Sequence, residues 1–322
     1  MHTLSRRHFF LGCFAAASSC TRPQRNTTNV KRAKVSVIRA ESYSADLTDR
    51  IRRILVEHRV AVLGKNVLLK PNLVEFNPNA PINTHPAFVA AAAEAFHSLG
   101  ASEVRIAEGP GHRRMTFDMA SAAGYFAAIP RFERNFTDLN LDEVHRIQLA
   151  NPFSTLSHLY LPETVLRCDL LVSLAKMKTH HWTGATLSMK NLFGVVPGSV
   201  YGWPKNVLHW AGIDQCIADL HYLFPRQFSL VDGIEGMEGN GPILGSAKRA
   251  EVVVAGAHAP SVDATCCRIM RIDPDKIGYL QLVTRRSGWN SRDIEQIGER
   301  VREVQTRFSL ISDLEHLRLN EA

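Results

Sequence analysis

The chain has 322 residues, of which 45% are hydrophobic and 21% are charged; this composition excludes a disordered chain and predicts one or two globular domains with an ample core. The net charge of +7 comes from residues 1–34, which hold seven Lys and Arg side chains and no acidic one, so the rest of the chain is neutral. Because nucleic-acid binding usually needs a basic surface, we expect no nucleic-acid partner.

Residues 1–20 have the features of an export signal. A charged start precedes an apolar stretch at 9–17, which is too short to span a bilayer stably. The pair Arg6 and Arg7 resembles the twin-arginine signal, which a dedicated export machinery reads. We therefore expect that machinery as a partner; an unrelated basic N-terminus is the alternative.

The end of this signal resembles a bacterial lipoprotein cleavage box. It reads Ala17-Ser18-Ser19-Cys20, with Ala17 where leucine is favoured, and a polar tether at 21–33 follows. The sequence thus predicts an exported bacterial protein, either periplasmic or anchored to the membrane as a lipoprotein through lipidated Cys20.

Hydrophobic periodicity predicts alternating strands and helices from residue 34 onward. Strands are expected at 34–40, 65–72, 101–111, 168–176, 228–234 and 250–258, and helices at 45–58, 84–100, 212–224, 261–272 and 275–284, with Thr84 capping the second helix. This rhythm is typical of right-handed crossovers, and so of an α/β fold with a mainly parallel sheet flanked by helices. Residues 125–165 are either edge strands or an insertion, and the segment 294–308 has no clear assignment. We expect a single domain at 34–310 and a tail at 311–322.

Charged and amide side chains, with glycine or proline turns, follow four of the predicted strands. Because the carboxyl ends of parallel strands line one crevice, where ligands bind in such sheets, we expect a shared site there. Its candidate members are Lys70 and Asn72 after the second strand, Glu108 after the third, Lys176, Lys178, His180 and Thr183 after the fourth, Lys190 and Asn191 farther along, and Asp232 and Glu238 after the fifth.

These residue types suit the binding of an anion and the transfer of a proton. Lysines bind carboxylates and phosphates, and a buried lysine among other cations loses its proton more easily. We expect Lys178, His180 and Glu238 to be catalytic, His180 and Glu238 as the acid and base, and the other candidates to bind the ligand. Each of these candidates could instead have a purely structural role; Asp232, for example, could form a turn with the following glycine. His181 and Trp182 are interpreted as packing residues.

The cysteines and histidines show no metal motif. Cys168, Cys216, Cys266 and Cys267 lack the C-x-x-C spacing of iron–sulfur and zinc-ribbon sites. No H-x-x-x-H or H-E-x-x-H occurs, so a metal would need ligands from separate strands, and the sequence names none of them. A divalent metal and an organic cofactor loaded before export both stay open.

Six ordered motifs carry a family resemblance: KPNLV (70–74), THP (84–86), EGPG (108–111), KMKTH (176–180), TGATLSMKNLFGVVPG (183–198) and DGIEGMEGNGP (232–242). Together they resemble the family called domain of unknown function 362. Some relatives carry appended ferredoxin modules, which this chain lacks. The pattern is also distantly similar to the N-terminal part of lactate racemase-like proteins, in which Lys and His serve 2-hydroxy-acid chemistry with a nickel-pincer cofactor; no ligand is transferred to this chain.

The leading hypothesis is an exported enzyme, an isomerase or an oxidoreductase, that acts on a small carboxylate or phosphate by proton or hydride transfer. A non-catalytic periplasmic binding protein would need the same lysines. A metal- or iron–sulfur-associated redox protein is the third alternative.

Overall fold

The computed structural model describes residues 32–320. The predicted signal, Cys20 and nearly all of the tether lie outside the described residues. The strands are β1 (Ala33–Arg39), β2 (Asn66–Pro71), β3 (Glu103–Glu108), β4 (Phe136–Asp138), β5 (Val144–Gln148), β6 (His158–Pro162), β7 (Leu170–His180), β8 (Gly184–Thr186), β9 (Gln227–Glu238), β10 (Ser246–Gly256) and β11 (Ile294–Gly298).

Thirteen α-helices, most of them short, connect these strands in the described range. They are α1 (Leu47–Glu57), α2 (Pro86–Ser98), α3 (Thr116–Ala122), α4 (Tyr125–Ala128), α5 (Phe132–Asn135), α6 (Glu163–Arg167), α7 (Ser188–Asn191), α8 (Gly198–Tyr201), α9 (Asn206–Trp210), α10 (Ile213–Leu223), α11 (Ala259–Ile269), α12 (Gly278–Ser287) and α13 (Val301–Val304). Leu192–Val195, Pro274–Lys276 and Ser312–Leu317 form 3-10 turns.

A nine-stranded sheet organises the chain, in the order β11-β1-β10-β9-β7-β2-β3-β4 with β8 beside β7. The five strands from β9 to β4 run parallel to one another, and only β10 and β8 pair antiparallel with their neighbours in this sheet. The predicted α/β class with a mainly parallel sheet is therefore confirmed.

Both faces of the sheet are covered, because the central strands are apolar on both sides. All eleven residues of β7 are buried. Leu171 belongs to the core on the side of α10, α11 and α12, whereas its neighbour Val172 belongs to the core on the side of α1 and α2. This three-layer packing leaves the carboxyl ends of β2, β3 and β7 as the place where a ligand can enter.

Residues 125–165 combine both expected alternatives. β4 is an edge strand parallel to β3, whereas β5 and β6 form a separate two-stranded antiparallel sheet. The unassigned segment 294–308 contains β11, which pairs parallel with β1, and α13.

Two local expectations differ from the structure. The cap of α2 is His85, whose Nδ1 accepts a hydrogen bond from the Ala87 amide at 3.2 Å. Thr84 instead accepts from the Asn72 amide and donates to the Leu174 carbonyl, and so ties β2 to β7. The expected tail is not separate from the domain in its described part, because Leu314 and Leu317 are buried in the core.

Candidate functional site

A cavity of about 900 Å³ opens at the carboxyl ends of β2, β3 and β7. Helices α7 and α9 and the loop between β9 and β10 complete its walls. Seven of the predicted site residues line it: Lys70, Asn72, Glu108, Lys178, His180, Lys190 and Asn191. The other four, Lys176, Thr183, Asp232 and Glu238, do not.

Lys70 and Glu108 form a buried ion pair in this cavity, with Lys70 Nζ 2.5 Å from Glu108 Oε2. The ammonium group also donates to the Pro71 carbonyl at 2.7 Å and to Asn191 Oδ1 at 3.0 Å, so its three protons all have protein acceptors. Burial lowers the pKa of Lys70, and the Glu108 carboxylate opposes that shift. Lys70 therefore holds the site together and has no proton left for a ligand.

The backbone leaves room for this pair only because residue 194 is glycine. A Cβ on Gly194 would collide with Glu108 Oε1 and Lys70 Nζ. The glycine in the motif KNLFG is thus explained by the close approach of the backbone to the ion pair.

Three other cavity lysines, Lys178, Lys190 and Lys205, have no carboxylate partner among the described residues. Lys178 Nζ donates to the carbonyls of Ile82 (2.7 Å) and Pro242 (3.1 Å). Two carbonyls satisfy two protons of the amine, so the third position on the nitrogen stays available to a ligand.

Lys205 is also held by two backbone carbonyls, whereas Lys190 packs against an aromatic ring. Lys205 Nζ donates to the carbonyls of Gly109 and Phe193, both at 2.6 Å. Lys190 Nζ lies 3.7 Å from the centre of the Phe193 ring and makes no hydrogen bond within the described part of the chain. Lys190 is therefore the cavity lysine with the most unsatisfied donors.

Burial without an ion-pair partner makes these lysines weak bases, and the more distant carboxylates Asp214 and Glu108 oppose this effect only in part. Burial, followed by the charge of Lys70, lowers the pKa of Lys190 to about 7. Burial also lowers the pKa of Lys205 to about 7, although Glu108 opposes it. For Lys178, burial and then Lys176, Lys190 and Lys70 lower the pKa well below its usual value. An anion placed among them would restore their protonation, because it supplies the missing opposite charge.

Hydrogen bonds from two backbone N–H groups fix the tautomer of His180. Its Nδ1 accepts hydrogen bonds from the backbone N–H groups of Trp182 (3.1 Å) and Thr183 (3.3 Å), and such groups can only donate. The proton of the neutral ring therefore lies on Nε2. Burial, Lys190 and His181 lower the pKa of His180 well below its usual value. His180 is thus a neutral ring that can donate a hydrogen bond from Nε2. It was expected to act as an acid or a base, but it has no free lone pair with which to accept a proton.

His181 and His209 carry the opposite tautomer. Nδ1 of His181 lies 2.7 Å from the Gly241 carbonyl, and Nδ1 of His209 lies 3.0 Å from the Lys205 carbonyl. A carbonyl only accepts, so both Nδ1 atoms carry the proton and both Nε2 atoms keep a lone pair. Both rings line the cavity. These two histidines, not His180, can accept a proton from a ligand.

Lys176 and Asp232 form a second buried ion pair, with Lys176 Nζ 2.9 Å from Asp232 Oδ2. Asp232 also accepts from the Tyr43 hydroxyl and from the His85 amide. This pair does not line the cavity. Both residues were predicted to bind the ligand; the structure gives them protein partners, and neither lines the cavity.

Thr183 and Glu238 also lie outside the cavity. Thr183 Oγ1 donates to the Ala185 carbonyl at 3.0 Å. Glu238 Oε2 accepts from the Ser309 amide at 2.8 Å and lies 3.6 Å from Lys248 Nζ. The structure thus separates Glu238 from His180, its expected acid–base partner, because β9 continues to residue 238 and turns this side chain toward Ser309.

Sequence reasoning missed Lys205 and His209 and interpreted His181 as a packing residue. Lys205 and His209 follow no strand: Lys205 precedes α9 and His209 lies within it. One feature of the sequence could have pointed to these residues: polar residues continue beyond the motif TGATLSMKNLFGVVPG, in WPKNVLH (203–209).

Metal-ligating side chains do not gather in the cavity. Within residues 32–320, ligand atoms of three such residues lie within 4.8 Å of one another only at Glu143, His145 and Glu163, around the β5–β6 pair. This group lies outside the cavity lining. None of the helices in the described range is long and apolar enough to cross a membrane.

Comparison with known proteins gives one family and few relatives. A thylakoid-associated protein of Synechocystis sp. is 28% identical over 257 residues, which cover 76% of each protein. A crystal structure of a Thermotoga maritima protein has a TM-score of 0.45 at 14% identity, over 71% of this chain and 59% of that one. The lactate racemase apoprotein of Thermoanaerobacterium thermosaccharolyticum has a TM-score of 0.42 at 15% identity, over 72% of this chain and 57% of that one. The chain spans less than two thirds of either solved protein.

The family predicted from the motifs is confirmed. Residues 67–268, more than half of the chain, match the domain of unknown function named DUF362. This region contains β2, β3, β7 and α7, and with them every cavity residue that the sequence predicted. The protein therefore belongs to the domain of unknown function 362 family.

Proposed function

We propose that the cavity is the active site of an enzyme that binds a small carboxylate or phosphate and transfers a proton at the carbon beside the anionic group. The observation that carries this proposal is the convergence of Lys178, Lys190 and Lys205, none with a carboxylate partner in the described chain, on one cavity. Two buried lysines and one half-buried lysine that form no ion pair are costly to keep protonated unless a ligand supplies the opposite charge.

The chemistry follows from the positions of the protons. The lysines would bind the anionic group, Lys190 most directly because its Nζ has no hydrogen-bond acceptor of its own in the described range. When the carbon beside a carboxylate loses its proton, negative charge develops on the carboxylate oxygens. His180 would donate from Nε2 to one of these oxygens and stabilise that charge. His181 or His209, whose rings both pack against Trp182, would accept the carbon-bound proton at Nε2.

Exchange of carbon-bound hydrogen in D2O tests this reaction directly. We would incubate the full-length protein, folded in its own cell, with a panel of 2-hydroxy acids and their phosphorylated analogues, which carry a hydrogen on the carbon beside the anionic group. Loss of the signal of that proton would be followed by NMR. Wild-type protein and the control Lys248→Met, a lysine outside the cavity, should exchange at least one compound. Lys190→Met and His181→Gln should lower the rate by about 100-fold or more.

Two results would contradict the proposal. Unchanged exchange in both Lys190→Met and His181→Gln would place the reaction elsewhere. Binding without exchange by any compound would instead identify a non-catalytic ligand-binding protein.

The proposal includes export, which rests on the sequence alone. Arg6, Arg7 and Cys20 form the pattern of a twin-arginine lipoprotein signal. In a bacterial host, wild-type protein should reach the periplasm or its membranes, whereas a variant with both arginines changed to lysine should stay in the cytoplasm. Cys20→Ser should release a lipid-anchored protein into the soluble periplasmic fraction. Cytoplasmic wild-type protein would contradict export.

A further inference from the structure

The walls of the cavity change from cationic to apolar between its floor and its mouth. We propose, resting on the proposed function, that the substrate is an amphipathic anion: a carboxylate or phosphate head that reaches the lysines, joined to an apolar body that lies against Trp182, Ile243, Leu244 and Ile311. The substrate class is thus narrower than that of small anions in general.

The cations lie at the deepest part of the cavity. Lys178 is 0% exposed and Lys205 is 3% exposed, although both line the cavity. Lys70 is equally buried but neutralised by Glu108. Lys190 beside them is half-buried, so a polar head that reaches Lys178 and Lys205 leaves most of its contact with bulk water.

The mouth has the opposite character. Leu244 is 78% exposed and Trp182 is 58% exposed, and both belong to the cavity wall. Ile243 and Ile311 lie beside them and are half-buried. Large apolar side chains at the entrance and charges at the floor reverse the usual arrangement of a soluble protein, in which charges face water.

The charged side chains near the mouth do not compete with the lysines for the anionic head of the ligand. Arg114 is held by Glu75, with Arg114 Nη2 2.9 Å from Glu75 Oε2. Asp313 also lines the cavity and adds a negative charge near Ile311. An anionic head is therefore repelled at the entrance and attracted at the floor, and the apolar body is the part of the ligand that matches the entrance.

A chain-length series measures this match. We would titrate acetate, butanoate, hexanoate and octanoate into the full-length protein by calorimetry, at concentrations below micelle formation, with octanol as the uncharged probe. Each added methylene should increase the affinity about two- to fourfold, because its transfer from water to an apolar surface contributes about 0.8 kcal/mol when it is fully buried. Octanol should bind far more weakly than octanoate.

Leu244→Ser isolates the apolar contribution, because this exposed side chain can be changed with little effect on folding. It should weaken octanoate about three- to tenfold and leave acetate unchanged. The matched control is Leu63→Ser, another exposed leucine, which precedes β2 at the opposite end of the sheet and should change neither.

The outcomes separate this inference from the proposed function. Acetate binding that depends on Lys190 but does not improve with chain length would overturn the amphipathic substrate and leave the proposed function intact. Octanol binding as tight as octanoate binding would also overturn it, since the head would then contribute nothing. Failure of every anion to bind would overturn both.

Discussion

At the scale of single residues, proton positions decide what each histidine can do, and they depend on backbone neighbours that a sequence does not show. His180 and His181 are adjacent in the chain, yet His180 accepts backbone hydrogen bonds at Nδ1 whereas His181 donates from Nδ1 to the Gly241 carbonyl. The sequence predicted a role for His180 alone. The loop that brings Gly241 to His181 places the ring proton on Nδ1 and leaves the Nε2 lone pair free, which is why the second histidine is the proposed base.

Nitrogen-15 NMR of the histidine rings tests this assignment. His180 should show the Nε2–H tautomer, and His181 and His209 should show the Nδ1–H tautomer, in protein without added ligand. His180 should also stay neutral well below the pH at which an ordinary histidine protonates, since burial and neighbouring cations lower its pKa. An Nδ1–H tautomer at His180, or protonation near pH 6.5, would contradict the assignment.

The Lys70–Glu108 pair gives a prediction for stability. Glu108→Ala should lower the free energy of unfolding by about 3–5 kcal/mol, because it leaves the Lys70 charge buried without its partner. Denaturant unfolding measures the loss. The control Glu103→Ala removes an exposed glutamate that pairs with Arg105, and should cost less than about 1 kcal/mol. Equal effects of the two variants would show that the pair does not hold the site.

At the scale of elements, β7 shows both the strength and the limit of prediction from sequence. Its apolar first half was identified, but its end was placed at residue 176, because Lys176, Lys178 and His180 interrupt the apolar run. The strand continues to His180 because β8 and β9 pair with it there. Alternation along the strand places residues 176, 178 and 180 on one side. The sequence could predict that these groups lie together, but not that an ion pair with Asp232 would keep Lys176 out of the cavity lining.

Asp263 links helix α11 to the short helix α7 that carries Lys190. Its carboxylate accepts from the amides of Ser188 (2.8 Å) and Met189 (3.0 Å). Asp263→Asn should lower the free energy of unfolding by about 1–3 kcal/mol, because the amide offers one acceptor oxygen where two are used. It should also weaken anion binding, because α7 positions Lys190.

Asp219→Asn is the matched control for Asp263→Asn. Asp219 is another buried aspartate whose oxygens accept from two consecutive amides, those of Phe153 and Ser154, and it does not line the cavity. This variant should lose similar stability in denaturant unfolding but keep its calorimetric anion affinity. Equal anion affinity in both variants would show that Asp263 does not position Lys190.

At the scale of the whole molecule, the class of fold was predictable, and so was the edge of the sheet at which the cavity opens. The alternation of strands and helices indicated a parallel sheet, and the polar groups after β2, β3 and β7 indicated its carboxyl edge. Three features were not predictable, because they depend on contacts between separate segments, which hydrophobic periodicity does not reveal. They are the antiparallel pairing of β9 with β10, the β5–β6 sheet and the packing of residues 312–317.

Lysines with lowered pKa values make the stability of the whole protein depend on pH. Burial lowers the pKa of Lys190 and Lys205 to about 7, so between pH 7.5 and 8.5 they bind fewer protons in the folded chain than in the unfolded chain. The free energy of unfolding should therefore rise with pH in this window, by about 1 kcal/mol per pH unit for each such lysine. Denaturant unfolding at several pH values measures the slope, which should be shallower in Lys190→Met. Equal slopes in wild-type protein and Lys190→Met would contradict the lowered pKa of Lys190.

The most direct test of the central claim is a calorimetric titration of inorganic phosphate and acetate into the wild-type protein and two variants, Lys190→Met and Lys248→Met. Lys178, Lys190 and Lys205 form no ion pair in the described chain, and the account predicts that they bind an anion together. Wild-type protein and Lys248→Met should then bind one anion with equal affinity, and Lys190→Met should weaken that binding about tenfold or more. Absence of binding to wild-type protein, or equal binding by Lys190→Met, would show that the cavity lysines do not form an anion site.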